Sequence, residues 1–105
     1  MSHYVVFAPT AEAQLVALYR YIAQEAGPEI AERFTSAIME HCERLEVFPH
    51  RGTPRDDIRP GLRTIPFRRR VTIAYSVEIN RVAILGIYYG GQDLAASWSG
   101  EDSER

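Results

Sequence analysis

Two periods divide this chain. From Ala11 to Phe48 apolar residues return every three or four positions, and from Leu62 to Tyr89 every second position, so a helical half precedes a sheet half. Ahead of both, residues 3–8 (His3-Tyr4-Val5-Val6-Phe7-Ala8) are rich in β-formers and stop at Pro9, which has no backbone donor; they predict a first strand. Thr10 is then the expected N-cap of a helix over 11–26, with Ala11, Leu15, Leu18 and Ile22 on its buried face and Gly27 closing it. Pro28 suits the first position of a second helix, whose stripe runs Ile30, Phe34, Ala37, Ile38, Cys42, Leu45 and Phe48. Its other face offers two i,i+4 pairs in acid-first order, Glu29 with Arg33 and Glu40 with Arg44. The short break predicts an antiparallel helical hairpin.

On the first helix Val16, Tyr19, Tyr21 and Ala23 carry apolar surface beyond one stripe. Either they form a second contact surface, or the tyrosines lean over the core rim with wet hydroxyls. Pro49 ends the hairpin and residues 49–54 read as a loop. Residues 62–67 form a short strand whose Pro66 points to an edge or a bulge. In residues 71–77, Val71, Ile73, Tyr75 and Val77 share one face and Thr72, Ala74 and Ser76 the other. The interruption at 78–81 is hairpin length, with Asn80 suited to positive φ, so 82–89 folds back antiparallel. That last strand is apolar on both faces, with Val82, Ile84 and Tyr88 on one and Ala83, Leu85, Ile87 and Tyr89 on the other. Such a strand belongs in a sheet interior or beneath a bound partner. The expected order is β-α-α-β-β-β, an α+β fold with a helical hairpin on a mostly antiparallel sheet. Residues 1–92 make one domain, and 93–105 an acidic polar tail, partly disordered.

Composition narrows the class. At 105 residues, 46% hydrophobic and 25% charged, the chain supports one core of a globular protein. No apolar run approaches the roughly 20 residues that cross a bilayer, no basic-then-apolar start follows Met1, and the lone Cys42 has no internal disulfide partner. A cytoplasmic protein is expected. The net charge is only -2, but the charges are segregated: residues 12–46 hold seven acids and three arginines, whereas 51–70 hold seven arginines and two aspartates. There is no lysine, so every fixed cation is a planar guanidinium suited to carboxylate or phosphate.

The order and punctuation of these pieces resemble the ParE/RelE toxin superfamily over roughly residues 3–93. The matching pieces are Phe7-Ala8-Pro9, Ala11-Glu12-Ala13 with Leu15, Tyr21-Ile22-Ala23, Ala31-Glu32-Arg33-Phe34, Leu45, Phe48-Pro49, Gly52, Gly61-Leu62-Arg63, Ile73-Ala74-Tyr75, and Ile84-Leu85-Gly86-Ile87 before Gly90 and Asp93. The resemblance implies a growth-inhibiting toxin in a hetero-oligomer with a ParD-like antitoxin. The antitoxin's C-terminal part wraps the toxin and its N-terminal part binds operator DNA, which the toxin reaches only through it. In the ParE branch the target implied is DNA gyrase, held by contact; in the RelE branch the toxin cuts mRNA on the ribosome.

A metal-free nuclease needs phosphate-binding cations and a proton shuttle in one cleft. Arg63 and Arg70 with Tyr89 are the candidates for that reading, and Arg68 and Arg69 are further cations. Many relatives have a histidine before the last glycine and an arginine before the final aspartate; here Tyr89 and Gln92 stand there. A tyrosine of ordinary pKa near 10 is a poor base, which favours the ParE branch. The candidates for antitoxin or target contact are Val16, Tyr19, Arg63, Arg68, Arg69, Arg70, Tyr75 and Tyr89. Strand alternation would put Arg68 and Arg70 on one side and Arg69 on the other. His3, His41, His50 and Asp56-Asp57 lack metal-ligand spacing, and no cofactor is implied. A toxin fold that binds without poisoning is the third reading.

Overall fold

The computed structural model describes residues 4–90. The expected domain end at 92 and the tail over 93–105 lie outside the described residues. Strand β1 (Tyr4–Phe7) leads into α1 (Pro9–Ala26) and α2 (Pro28–Glu43), then a single 3₁₀ turn (Arg44–Glu46). The sheet half contains β2 (Thr53–Pro54), β3 (Leu62–Phe67), β4 (Val71–Val77) and β5 (Arg81–Tyr89). The strands lie in the order β1-β5-β4-β3-β2, antiparallel throughout except that β1 runs parallel to β5. This is the α+β arrangement expected, with one short edge strand, β2, in the segment read as loop.

Several local expectations change. Thr10 does not cap α1: Pro9 is its first residue, Ala8 precedes it, and no side chain caps it. Proline suits that first helical position, because its missing N–H is one of the unpaired donors there and its φ is already helical. The break between helices is Gly27 alone, at φ 102, a left-handed geometry natural to glycine. Neither Glu29–Arg33 nor Glu40–Arg44 closes as an ion pair. Asn80 has no positive φ; the turn closes instead through the Glu78 amide donating to the Arg81 carbonyl at 2.8 Å.

The helices cover one face of the sheet. Ile22, Ile38, Cys42 and Leu45 pack there against Ile65, Phe67, Ile73, Tyr75, Val82, Ile84 and Ile87. On the other face Leu62, Ala74 and Tyr88 form a smaller cluster with Ile58 and Leu85, so the 55–61 segment supplies part of the second cover. Residues on β5 do not alternate as expected. Ala74 pairs with Gly86 but Tyr75 with Ile84, leaving Leu85 as an extra residue on β5. This β-bulge shifts the period by one, so Ile87 and Tyr89 join Val82 and Ile84 on the helical face and Tyr88 goes to the other. Pro66 sits opposite Thr72, and β2 pairs only with Arg63 and Thr64, so at Pro66 the outer side of β3 faces no strand, the edge position expected for a proline.

Candidate functional site: a groove beside β5 and an arginine turn

Strand β1 pairs with β5 only as far as Phe7 opposite Ile84, because Pro9 turns the chain into α1. Beyond Ile84, β5 has a strand neighbour on one side only among the described residues. The side chain of Gln14 fills part of that gap, its Oε1 accepting from the Ile87 amide at 2.7 Å. Alongside lies an open groove of about 330 Å³ lined by Gln14, Ala17, Leu18, Tyr21, Ile87 and Tyr89. Its lining is mostly apolar, and Tyr21 is half exposed. The ring of Tyr89 is fixed from two sides, 5.9 Å from Tyr21 and 6.3 Å edge-on to Phe34, so the groove wall is built before any partner arrives.

At the same end of the sheet, three residues link β3 to β4, and Arg68 and Arg69 are the central pair of a turn over residues 67–70. Both have positive φ, 52° and 65°, and the Arg70 amide donates to the Phe67 carbonyl at 3.2 Å. Consecutive left-handed residues define the type I′ turn that suits hairpin twist, and asparagine followed by glycine is its usual sequence. Two arginines there cost about 1–2 kcal/mol each. The strand alternation expected for Arg68, Arg69 and Arg70 therefore gives way to a turn that exposes all three. The Arg68 guanidinium lies 4.8 Å over the Phe67 ring and 6.0 Å from that of Phe34, which holds its stem in place.

The other candidate residues fall elsewhere. Val16 is 49% exposed but does not line the groove, and Tyr19 leans on the core. Tyr75, expected at a contact surface, is 0% exposed. Its hydroxyl donates to the Pro49 carbonyl and accepts from the Gly52 amide, both at 2.9 Å, and burial pushes its pKa up, so it stays protonated. The Arg63 guanidinium donates to the His50 and Gly52 carbonyls at 3.1 and 2.8 Å. Arg63 lies opposite Tyr75 and Tyr89 opposite Val71, four residues apart on β4, or about 13 Å along the strand. The trio Arg63, Arg70 and Tyr89 thus does not meet in one cleft. Sequence reasoning did not single out Gln14, Ala17 and Leu18 for the groove; their 14-17-18-21 spacing with Tyr21 was the available signal.

No other chemistry converges among the described residues, where no three His, Cys, Asp or Glu side chains are placed to hold a metal. Cys42 is buried and its thiol pushed up to about 12, the chemistry of an inert thiol. His41 packs 5.3 Å from Phe67, and burial holds its pKa below the ordinary value. Among the described residues no helix is long and apolar enough to cross a membrane.

Comparison with known proteins supplies the family. Residues 5–94 match the family model described as "ParE toxin of type II toxin-antitoxin system, parDE". The chain is 33% identical to toxin ParE3 of Caulobacter vibrioides over 79 residues, 75% of this chain and 78% of that one. Its structure superposes on a chain of the chromosomal ParDE toxin–antitoxin system from P. aeruginosa with a TM-score of 0.75 and 26% identity, covering 85% of this chain and 97% of the other. It also superposes on a chain of the RelBE2 toxin–antitoxin complex from Mycobacterium tuberculosis, with a TM-score of 0.62 and 22% identity over 85% and 99% of the two chains; that likeness is one of fold.

Proposed function

The chain belongs to the ParE toxin family of type II toxin–antitoxin systems, and we propose that it stops growth in the cytoplasm by binding a protein target, DNA gyrase by likeness to that family, until a cognate antitoxin neutralises it. The observation that carries this reading is the preformed groove beside the half-open edge of β5. An antitoxin segment seated there would bury its apolar side chains against Ala17, Leu18, Tyr21 and Tyr89. An extended one could also add backbone hydrogen bonds along the strand edge. The three exposed guanidiniums of Arg68, Arg69 and Arg70 would then meet acidic side chains of the same segment, as planar, paired donors do best. The set of roles is one of contact, and no residue is assigned to chemistry.

The test is to induce the chain without an antitoxin while following growth and mapping the 5′ ends of cellular mRNAs, with purified gyrase assayed for supercoiling in parallel. Growth arrest and inhibited supercoiling with no new mRNA ends are expected. Codon-phased mRNA cuts would replace this reading with a nuclease, and continued growth would leave a binding module without a poison.

A further inference from the structure

Phe48 was expected on the apolar stripe of α2, yet α2 ends at Glu43 and Phe48 stands 65% exposed, with Val47 at 64%. Among the described large hydrophobic side chains only Ile79 is more exposed. The two residues do not lie on a loose loop. The Val47 and Phe48 amides donate to the Arg44 carbonyl at 3.2 and 3.3 Å, and the Arg51 amide to the Phe48 carbonyl at 3.4 Å. Just after them the chain is clamped from below: buried Tyr75 holds Pro49 and Gly52, and Arg63 holds His50 and Gly52. The fold thus commits a buried tyrosine and an arginine to fixing a segment that turns two apolar side chains to water. Pre-ordered apolar side chains in a polar rim are what protein interfaces use as anchors.

We infer that this Val47–Phe48 knuckle is a second protein-docking surface, the one that engages the toxin's target, and that it inserts into an apolar hollow of that target bearing carboxylates on its rim. Charge decides the chemistry of the partner. The hollow beside the knuckle, about 370 Å³, is lined by Val47, Phe48, Pro49, His50 and Arg51. Arg51 is exposed and forms no ion pair among the described residues, and Arg63 sits behind the same loop. Glu46 on the other flank is the single acid of residues 46–52. A carboxylate facing Arg51 completes the surface.

Position decides between target and antitoxin. The groove lies along β5, whereas the loop is bonded to β4 and β3 and runs into β2 at the opposite sheet edge. Pro49 is bonded to Tyr75, which lies opposite Ile84, whereas the groove's Ile87 and Tyr89 lie opposite Ile73 and Val71, about 7 and 13 Å farther along the strands. A segment that stays within the groove therefore leaves the knuckle uncovered.

This assignment rests on the toxin reading, and the experiment separates the two. Wild type, Phe48→Ser, Arg51→Ala and, as a control, Ile79→Ser are induced without antitoxin, and each purified chain is titrated with the antitoxin encoded beside it. Losing an interface anchor weakens association by roughly thirtyfold or more. Phe48→Ser should therefore abolish growth arrest and Arg51→Ala blunt it, while thermal unfolding and antitoxin affinity stay at the wild-type values and Ile79→Ser remains toxic. Arrest by Phe48→Ser equal to wild type overturns the knuckle. A matching loss of antitoxin affinity assigns it to the antitoxin and overturns the occupant named here. If the wild type itself does not arrest growth, the toxin reading fails, and the target surface with it.

Discussion

The Tyr75 hydroxyl donates to the Pro49 carbonyl across 26 positions of sequence, tying the middle of β4 to the loop that leaves the helices. Because the same oxygen accepts from the Gly52 amide, Tyr75→Phe strands two polar backbone groups at once. An unsatisfied buried group costs about 1–3 kcal/mol. Tyr75→Phe should lower the unfolding free energy by an amount in that range, shifting the urea midpoint down without changing the slope, as equilibrium unfolding would measure.

Gly52 is buried under that hydroxyl. A Cβ there would collide with the Tyr75 hydroxyl and approach the Thr64 carbonyl oxygen at 2.8 Å and Ile65 Cγ2 at 2.9 Å. Gly52→Ala should destabilise by about 1–3 kcal/mol, the usual cost of overpacking. Since the nearest atom belongs to Tyr75, the double variant with Tyr75→Phe should lose less than the two single losses together. Simple additivity in a double-mutant cycle would show that the steric conflict lies elsewhere.

The arginine turn predicts a gain. Arg69 has φ 65°, which glycine adopts without strain, so Arg69→Gly should stabilise the hairpin by up to about 1 kcal/mol. In a domain this size that raises the melting temperature by about 4–8 °C. The same variant should bind antitoxin more weakly, because it removes one of three exposed cations. Calorimetric melting and an antitoxin titration read the opposed effects.

Gln14 is the placeholder at the open edge of β5. In Gln14→Leu the Ile87 amide loses its 2.7 Å partner, so its hydrogen exchange should quicken in the free protein. Unchanged exchange there would mean that another group takes over the bond.

His41 predicts a dependence on pH. Burial is the first cause of its lowered pKa, followed by the opposing hydrogen bond to the Pro66 backbone and then by the positive charges of Arg51 and Arg44. The unfolded chain therefore binds this proton more readily than the folded one. Stability from this group is complete above the ordinary value of 6.5 and declines as pH falls through it toward the lower folded value. Urea midpoints from pH 8 to 5 should show a fall below about 6.5 that His41→Asn removes.

What could be read from the sequence followed local rules. Pro9, Gly27 and Pro28 punctuate the helices, and the alternation of Val71, Ile73 and Tyr75 sets a buried face, so the layers and the order of the long elements were legible. The bulge at Leu85 was not, because β5 is apolar on both faces and a one-residue slip leaves no polar residue out of place. Phe48 keeps the helical spacing of Leu45, and nothing local marks that the helix has already ended. The arginine turn lacks the glycine or asparagine that would announce positive φ. The groove depends on where β1 stops relative to β5, a long-range pairing that no window of sequence contains.

The measurement closest to the central claim is amide hydrogen exchange across the toxin, free and saturated with its antitoxin. Slowed exchange concentrated in residues 86–89 of β5 and in α1 around Ala17 and Tyr21 is the predicted result. Protection confined to other elements, with β5 and α1 exchanging as in the free protein, would contradict the groove as the antitoxin's seat.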